Sequence, residues 1–267
     1  MLHSAAQLFR FRGLLATLTA RELKARYRGS MLGFLWSLVN PLLLLAVYSF
    51  VFGFVFRRPV GGATEPYALF LIAGLFPWIW TSSSLLEGTL ALTANAALLR
   101  KAVFPAELLP VVPVLANLVH FLLALPILAA ALAAGRWFGH PVGGWGALLV
   151  PAVLLLQLPL LAGLALGLAA LNAHFKDVRD LLGNLLTLLF FLAPILYPLG
   201  AVPGAPLRAL VRANPFTPFT LAWQATLFEG AVPPAAVWLQ MAAVALVAWT
   251  AGAALFGRLR ETLVEAV

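Results

Sequence analysis

Residues 148–171 read LLVPAVLLLQLPLLAGLALGLAAL, 24 consecutive positions without a charge. The hydrocarbon core of a bilayer is ~30 Å thick and an α-helix rises ~1.5 Å per residue, so about 20 apolar residues suffice to cross it. Five further stretches share this character: Ser30–Phe56, Tyr67–Leu92, Leu108–Ala134, Leu181–Leu199 and Ala235–Gly257, interrupted only by Glu87 in the second. None alternates with the period of two that a barrel strand requires, and Leu and Ala dominate, so all six read as helices. The expected fold class is an all-α integral membrane protein with six transmembrane helices. It forms a single domain: an amphipathic segment over 1–29, a bundle over 30–257 and a tail over 258–267.

Composition points the same way. The chain of 267 residues is 63% hydrophobic and 10% charged, whereas soluble domains are ~45–50% apolar and ~25% charged. A water-soluble globule and a disordered chain are both excluded. Cysteine is absent, which removes disulfides, thiolate metal sites and thiol nucleophiles. His3, His120, His140 and His174 lie far apart without an i,i+3 or i,i+4 partner, so no metal site is expected.

The first apolar run is preceded by Arg10, Arg12, Arg21, Lys24, Arg26 and Arg28, which argues against a cleavable signal and for a retained N-terminus. With six spans, 12 of the 17 Lys and Arg residues fall on the N-terminal side, against five at Arg57, Arg58, Arg136, Arg208 and Arg212. The positive-inside rule then puts both termini in the cytoplasm and accounts for the +8 net charge without nucleic acid as a partner.

Four stretches are more than simple spans. Leu8 to Arg28 is amphipathic: at 100° per residue Leu8, Phe11, Leu14, Leu15 and Leu18 share a face, and Arg10, Arg21, Lys24 and Arg28 the adjoining one. It reads either as a surface anchor among headgroups or as a cationic site for a phosphate-bearing lipid. Leu98 to Glu107 places the apolar pair Val103 and Phe104 amid charges, which suits either a docking knob or a tight connection dipping into the interface. Lys176 and Asp180 form an i,i+4 pair on what reads as a solvated turn. Gly200 to Pro234 is apolar yet broken by six prolines, so it reads as short re-entrant helices at the outer face, with Arg208 and Arg212 toward water. Glu87 is a carboxylate inside an apolar run and hence a functional candidate. Tyr48, Phe52 and Phe56 make an i,i+4 aromatic stripe that either lines a conduit or faces lipid.

The ordered motifs resemble a known family. Arg21-Glu22-Leu23-Lys24-Ala25-Arg26-Tyr27-Arg28-Gly29-Ser30, followed by Leu32-Gly33-Phe34-Leu35-Trp36-Ser37-Leu38-Val39-Asn40-Pro41, resembles the opening of ABC-type polysaccharide-export permeases. Phe76-Pro77-Trp78, the Leu99 to Pro105 stretch, Phe175 to Asp180, Pro194 to Pro198 and Asn214-Pro215 follow in the family's order. The resemblance implies a homodimer of six-helix subunits with two cytoplasmic ATPase subunits, exporting a glycan on undecaprenyl diphosphate across a bacterial inner membrane. It matches the basic Arg21 to Arg28 segment to an interface helix near the cytoplasmic lipid entrance, so Arg21, Lys24, Arg26, Tyr27 and Arg28 are the expected substrate contacts, with Tyr48, Phe52 and Phe56 as the candidate stacking positions for sugar rings. It further implies an ATPase-coupling helix at Arg100, Lys101, Val103, Phe104, Pro105 and Glu107, and an external gate that includes Arg208, Arg212 and Asn214.

Nucleotide hydrolysis is not expected of this chain. A P-loop needs Lys after Gly and before Ser or Thr, and Lys24, Lys101 and Lys176 do not meet that condition. No cofactor is therefore expected here, and ATP and Mg²⁺ belong to the partner. A drug or small-lipid exporter, a membrane enzyme acting on a polyprenyl-linked substrate and a passive channel are the competing readings. The enzyme would need a cluster of acids that the scattered Asp and Glu residues do not suggest.

Overall fold

A computed structural model of the chain describes residues 2–51, 55, 64, 66–99 and 104–263, with the backbone alone for Leu2, His3, Ala5 and Phe34. Regular structure among the described residues is helical throughout. The elements are α1 (Leu2–Arg10), α2 (Arg12–Arg26), α3 (Trp36–Phe50), α4 (Tyr67–Ala94), α5 (Ala96–Leu99) and α6 (Leu108–Trp137). They continue with α7 (Val150–His174), α8 (Val178–Leu192), α9 (Ala205–Ala213), α10 (Thr217–Trp223) and α11 (Ala235–Leu259). The membrane character is plain: α4, α6, α7 with the turn before it, and α11 with the turn after it are each 28–30 residues long and apolar.

The first expected span begins later than the sequence suggests, and the fifth is shorter. Of the run from Ser30 to Phe56, helix α3 starts at Trp36, and Val51 and Val55 are also helical among the described residues. Gly29 and Gly33 adopt φ of +78° and +51°, left-handed values that stop any helix from running continuously out of α2. The expected span Leu181–Leu199 is a 15-residue helix, α8, that begins at Val178 and ends at Leu192. Pro194 is the reason: it drives the preceding Ala193 to an extended ψ of 144°, so the chain leaves the helix there. At ~1.5 Å per residue the 15 residues of α8 reach ~22 Å.

Helix α4 is the centre of the bundle. Its apolar character all round matches its position, with α3, α6, α7, α8 and α10 packed about it. Trp80 of α4 stacks on Phe121 of α6, with centroids 5.3 Å apart, and Phe121 meets Trp223 of α10 edge-on at 5.1 Å. A second apolar cluster lies at one end of the bundle, where Leu92, Leu99, Leu109, Leu166 and Phe256 converge and Leu8, Leu15 and Phe104 pack against it. This basal end also gathers α2, the α7–α8 turn and the last described residues: Arg260 pairs with Glu107 at 3.2 Å, and His174 Nε2 lies 2.9 Å from the Thr262 hydroxyl.

Several polar groups inside the bundle are paired across helices. The Gln157 amide of α7 donates to Thr81 Oγ1 of α4 at 2.8 Å and accepts from the Trp223 indole at 2.6 Å. Gln224 Nε2 donates to the Pro194 carbonyl at 2.8 Å. These bonds seat α10 and the buried π-helical turn Gln224–Glu229 against α4, α7 and the end of α8. Where re-entrant helices are expected, the chain forms two short helices, of which α10 is buried and α9 largely exposed.

The tightest helix crossing is that of α7 and α11. A Cβ built on Gly252 would lie 1.8 Å from the Gly163 carbonyl oxygen, and one on Gly163 would lie 2.4 Å from the Trp249 Cα. Small residues allow backbones to approach where no hydrophobic effect drives helices together in lipid. We expect Gly252→Val to destabilise the protein by about 1–3 kcal/mol, the usual cost of forcing methyl groups into a packed interface. Gly257→Val, at a position with open space around it, serves as the control. Thermal melts of both variants in mild detergent decide the point, and equal melting temperatures would show that the crossing tolerates separation.

Candidate functional site

Among the described residues, a group of polar side chains gathers where the end of α2 meets α4 and α6. Phe11 breaks the amphipathic segment, leaving α1 and α2 as separate helices with Phe11 φ at −100°. Along α2 the inward side carries Leu14, Leu15, Leu18 and the buried Thr19, while Arg12, Arg21 and Lys24 are exposed, as are Arg10 and Arg28 beside it. The expected division into an apolar and a basic face is therefore present, with one exception that shapes the site.

Arg26 turns inward. Its Nη2 pairs directly with Glu87 Oε2 of α4, its Nη1 donates to Asn117 Oδ1 of α6 at 2.9 Å, and its Nε lies 3.4 Å from Glu22. Asn117 Nδ2 completes a ring by donating to Glu87 Oε2 at 2.7 Å. Beside it the Tyr27 hydroxyl and His120 Nε2 share a hydrogen bond of 2.6 Å, with the two rings edge-on at 5.7 Å. Within this knot Glu87 sits 20 residues into α4, about 30 Å along the helix, a length comparable with the thickness of the hydrocarbon core. A carboxylate within an apolar helix is tolerable because a guanidinium and an amide both bond to it.

A cavity of about 330 Å³ opens beside the knot. Arg26, Tyr27, Asn40, Ser83, Glu87, Asn117 and His120 give it polar walls, and Phe76, Trp80 and Phe121 an apolar one. A second cavity of about 660 Å³, between α7, α8 and α11, is lined by Leu, Val, Ala, Gly, Pro and Phe. Its surface suits hydrocarbon and offers no polar chemistry. Among the described residues no three His, Asp or Glu side chains converge as metal ligands would.

The other sequence candidates are distributed as follows. Tyr48 is half-buried against the main core on α3, and Phe52 and Phe56 lie outside the described residues. Arg100, Lys101 and Val103 also lie outside them. Phe104 is half-buried on the basal cluster, and Pro105 is buried. Glu107 is turned into the protein, 1% exposed, with Arg260 beside it. Arg212 is exposed on α9, while Arg208 Nη2 donates to the Val202 carbonyl at 3.1 Å. Asn214 is buried at the α9–α10 corner, donating to the Leu189 carbonyl at 2.9 Å and accepting from the Phe216 amide at 3.0 Å. Asn117, His120, Asn40 and Ser83 were not singled out as site residues. Their signal was present in Asn117 and His120, the two polar residues in the apolar run from Leu108 to Ala134, at the i,i+3 spacing that shares a helix face.

Glu87→Ala removes an acceptor from both Arg26 and Asn117. We expect a loss of about 1–3 kcal/mol and faster tryptic cleavage after Lys24 and Arg26, because a bonded group left without its partner keeps its desolvation cost. Glu87→Gln, which keeps an acceptor for Asn117, should lose less. Indistinguishable cleavage of Glu87→Ala and the parent would mean that this ring does not hold α2.

Comparison with known proteins agrees with a transport role. The chain is 39% identical over 269 residues, covering 100% of both sequences, to the O-antigen export system permease protein RfbA of Myxococcus xanthus. It is 32% identical over 217 residues, 81% of each chain, to the protein of the same name from Klebsiella pneumoniae. With the polysialic acid transport protein KpsM of Escherichia coli it shares 26% identity over 184 residues, 68% of this chain and 69% of that one. Residues 13–228, from α2 to the π-helical turn, match the ABC-2 type transporter family, and on both grounds the chain is a multi-pass membrane protein of that family.

Proposed function

We propose that this chain is the membrane subunit of an ATP-driven exporter that carries an undecaprenyl-diphosphate-linked polysaccharide of the O-antigen type across a bacterial inner membrane. The observation that carries the reading is the end-to-end identity of 39% with an O-antigen export permease. Two copies of the chain work with two ATPase subunits, which hold the ATP and Mg²⁺. The basal end faces the cytoplasm, the side on which the Lys and Arg residues are concentrated.

In this reading Arg21, Lys24 and Arg28, all exposed at the end of α2, meet the diphosphate as it approaches from the cytoplasmic leaflet. Arg26 has a different task, because its charge is already matched by Glu87. Tyr27 stands beside it as a wall of the polar cavity. The segment around Phe104 receives the push of the ATPase, and Glu107 with Arg260 anchors that segment to the C-terminal end of α11. Rigid-body rotation of the two bundles then opens the path. The second copy covers part of the exposed apolar faces of α3 and α8, which carry Leu42, Leu43 and Val47 and Leu181, Leu185 and Leu188. On the outer side α9 and α10 gate the path, with Asn214 holding their corner and Arg208 and Arg212 on α9.

Purification from native membranes should bring down a P-loop ATPase in equal amount, with hydrolysis dependent on the complex; a chain that purifies without one would sink the exporter. Phe104→Asp should abolish that co-purification. Lys24→Ala combined with Arg28→Ala should reduce export at least tenfold, with lipid-linked glycan accumulating on the cytoplasmic leaflet while assembly persists. Unchanged export would remove these two cations from the mechanism.

A further inference from the structure

The polar cavity beside α2 has a chemistry unlike that of the basic face next to it. Its charged lining groups are one guanidinium and one carboxylate, Arg26 and Glu87, and they face each other. A phosphate oxygen only accepts hydrogen bonds, so a phosphate site is built from donors and excess positive charge. Here acceptors are as prominent as donors. The Glu87 carboxylate, the Asn40 and Asn117 amides and the Ser83 hydroxyl all line the space, and the carboxylate repels an anion. Among the described residues neither Asn40 nor Ser83 makes a side-chain hydrogen bond within the protein.

Mixed donors and acceptors over an aromatic wall fit a ligand whose groups both donate and accept while its carbon face is apolar. A sugar ring has that character: each hydroxyl donates one bond and accepts others, and the C–H face rests on the negative face of an aromatic ring. Trp80 and Phe121, stacked on each other with planes 12° apart and almost fully buried, stiffen that wall from behind, and the half-buried Tyr27 is the aromatic residue of the lining with surface left to offer a sugar. The volume of about 330 Å³ lies at the lower end of the ~300–1,000 Å³ typical of small-molecule pockets, room for one ring and not for a chain of them. The cavity also borders Arg26, two residues from Lys24 on one side and from Arg28 on the other.

We propose that this cavity is a carbohydrate subsite that seats one pyranose ring of the transported glycan next to its diphosphate, a statement that rests on the exporter reading. The exposed cations take the diphosphate and the neutral cavity takes the neighbouring sugar. Asn40 and Ser83 bind it, and Arg26 acts through Glu87 and Asn117 as a positioning residue.

The test uses the full-length chain in lipid nanodiscs and saturation-transfer NMR, which detects weak binding. The probes are the methyl pyranosides of glucose, galactose, mannose and N-acetylglucosamine, with glycerol and inorganic pyrophosphate as competitors. We expect transfer to the ring protons of at least one pyranoside, resistant to both competitors. Asn40→Ala with Ser83→Ala should weaken it about five- to tenfold, as expected for the loss of neutral hydrogen bonds. Asn40 is exposed and Ser83 half-buried, so the double variant should fold; if its melt shows otherwise, Asn40→Ala alone is read. Transfer to no pyranoside, or equal transfer in variant and parent, overturns the proposal. Displacement by pyrophosphate would make the cavity an anion site, and equal displacement by glycerol a general polyol or lipid-headgroup site, and either also overturns it. Failure here with the ATPase partner and export intact removes the subsite alone. Sugar binding without any ATPase partner removes the exporter reading and not the cavity.

Discussion

Hydrocarbon offers no hydrogen bonds, so each polar group that this chain carries into the membrane has to find its partner inside the protein. The helices meet that demand for the backbone. For many side chains it is met by pairs that reach across the bundle: Gln157 with Thr81 and Trp223, Gln224 with the Pro194 carbonyl, Asn214 with the end of α8, and Arg26 with Glu87 and Asn117. Each bond ties together elements far apart in sequence. The same groups that would be costly if left alone are thus the groups that decide which helix lies beside which.

Two kinds of contact therefore share the work of the fold. Between α7 and α11 the backbones touch at Gly163 and Gly252, and van der Waals packing is what holds them. Around α10 and the π-helical turn, polar bonds and buried aromatics hold a segment too broken by proline to cross the membrane. Local π-helical geometry often accompanies functional sites, and here it lies in the segment for which we propose a gating role.

At the other end, the ring formed by Arg26, Glu87 and Asn117 separates two chemistries within a few residues. Arg21, Lys24 and Arg28 remain exposed and available to anions, whereas Arg26 is neutralised and helps to wall a cavity with balanced donors and acceptors. A lipid-linked glycan has the same division, a charged carrier beside neutral sugars. The ion pair of Glu107 and Arg260 ties the segment around Phe104 to the C-terminal end of α11.

Much was legible before any coordinates. Runs without charge fix helices and a membrane setting because the length of an apolar stretch must match a hydrocarbon thickness, and that is a property of consecutive residues. The exposed basic face of α2, the short helices after α8 and the candidacy of Glu87 were legible for the same local reason. The late start of α3 and the early end of α8 were only partly so, since the left-handed turn at Gly33 and the exit at Ala193 depend on details inside otherwise apolar runs. What tertiary structure alone decided is who meets whom. Glu87 is 61 residues from Arg26 and 30 from Asn117, and only the crossing of α2 over α4 and α6 joins them into a ring and opens a cavity beside it. Spacing along a chain reports the faces of one helix, whereas a site between helices depends on their packing, to which no single segment bears witness.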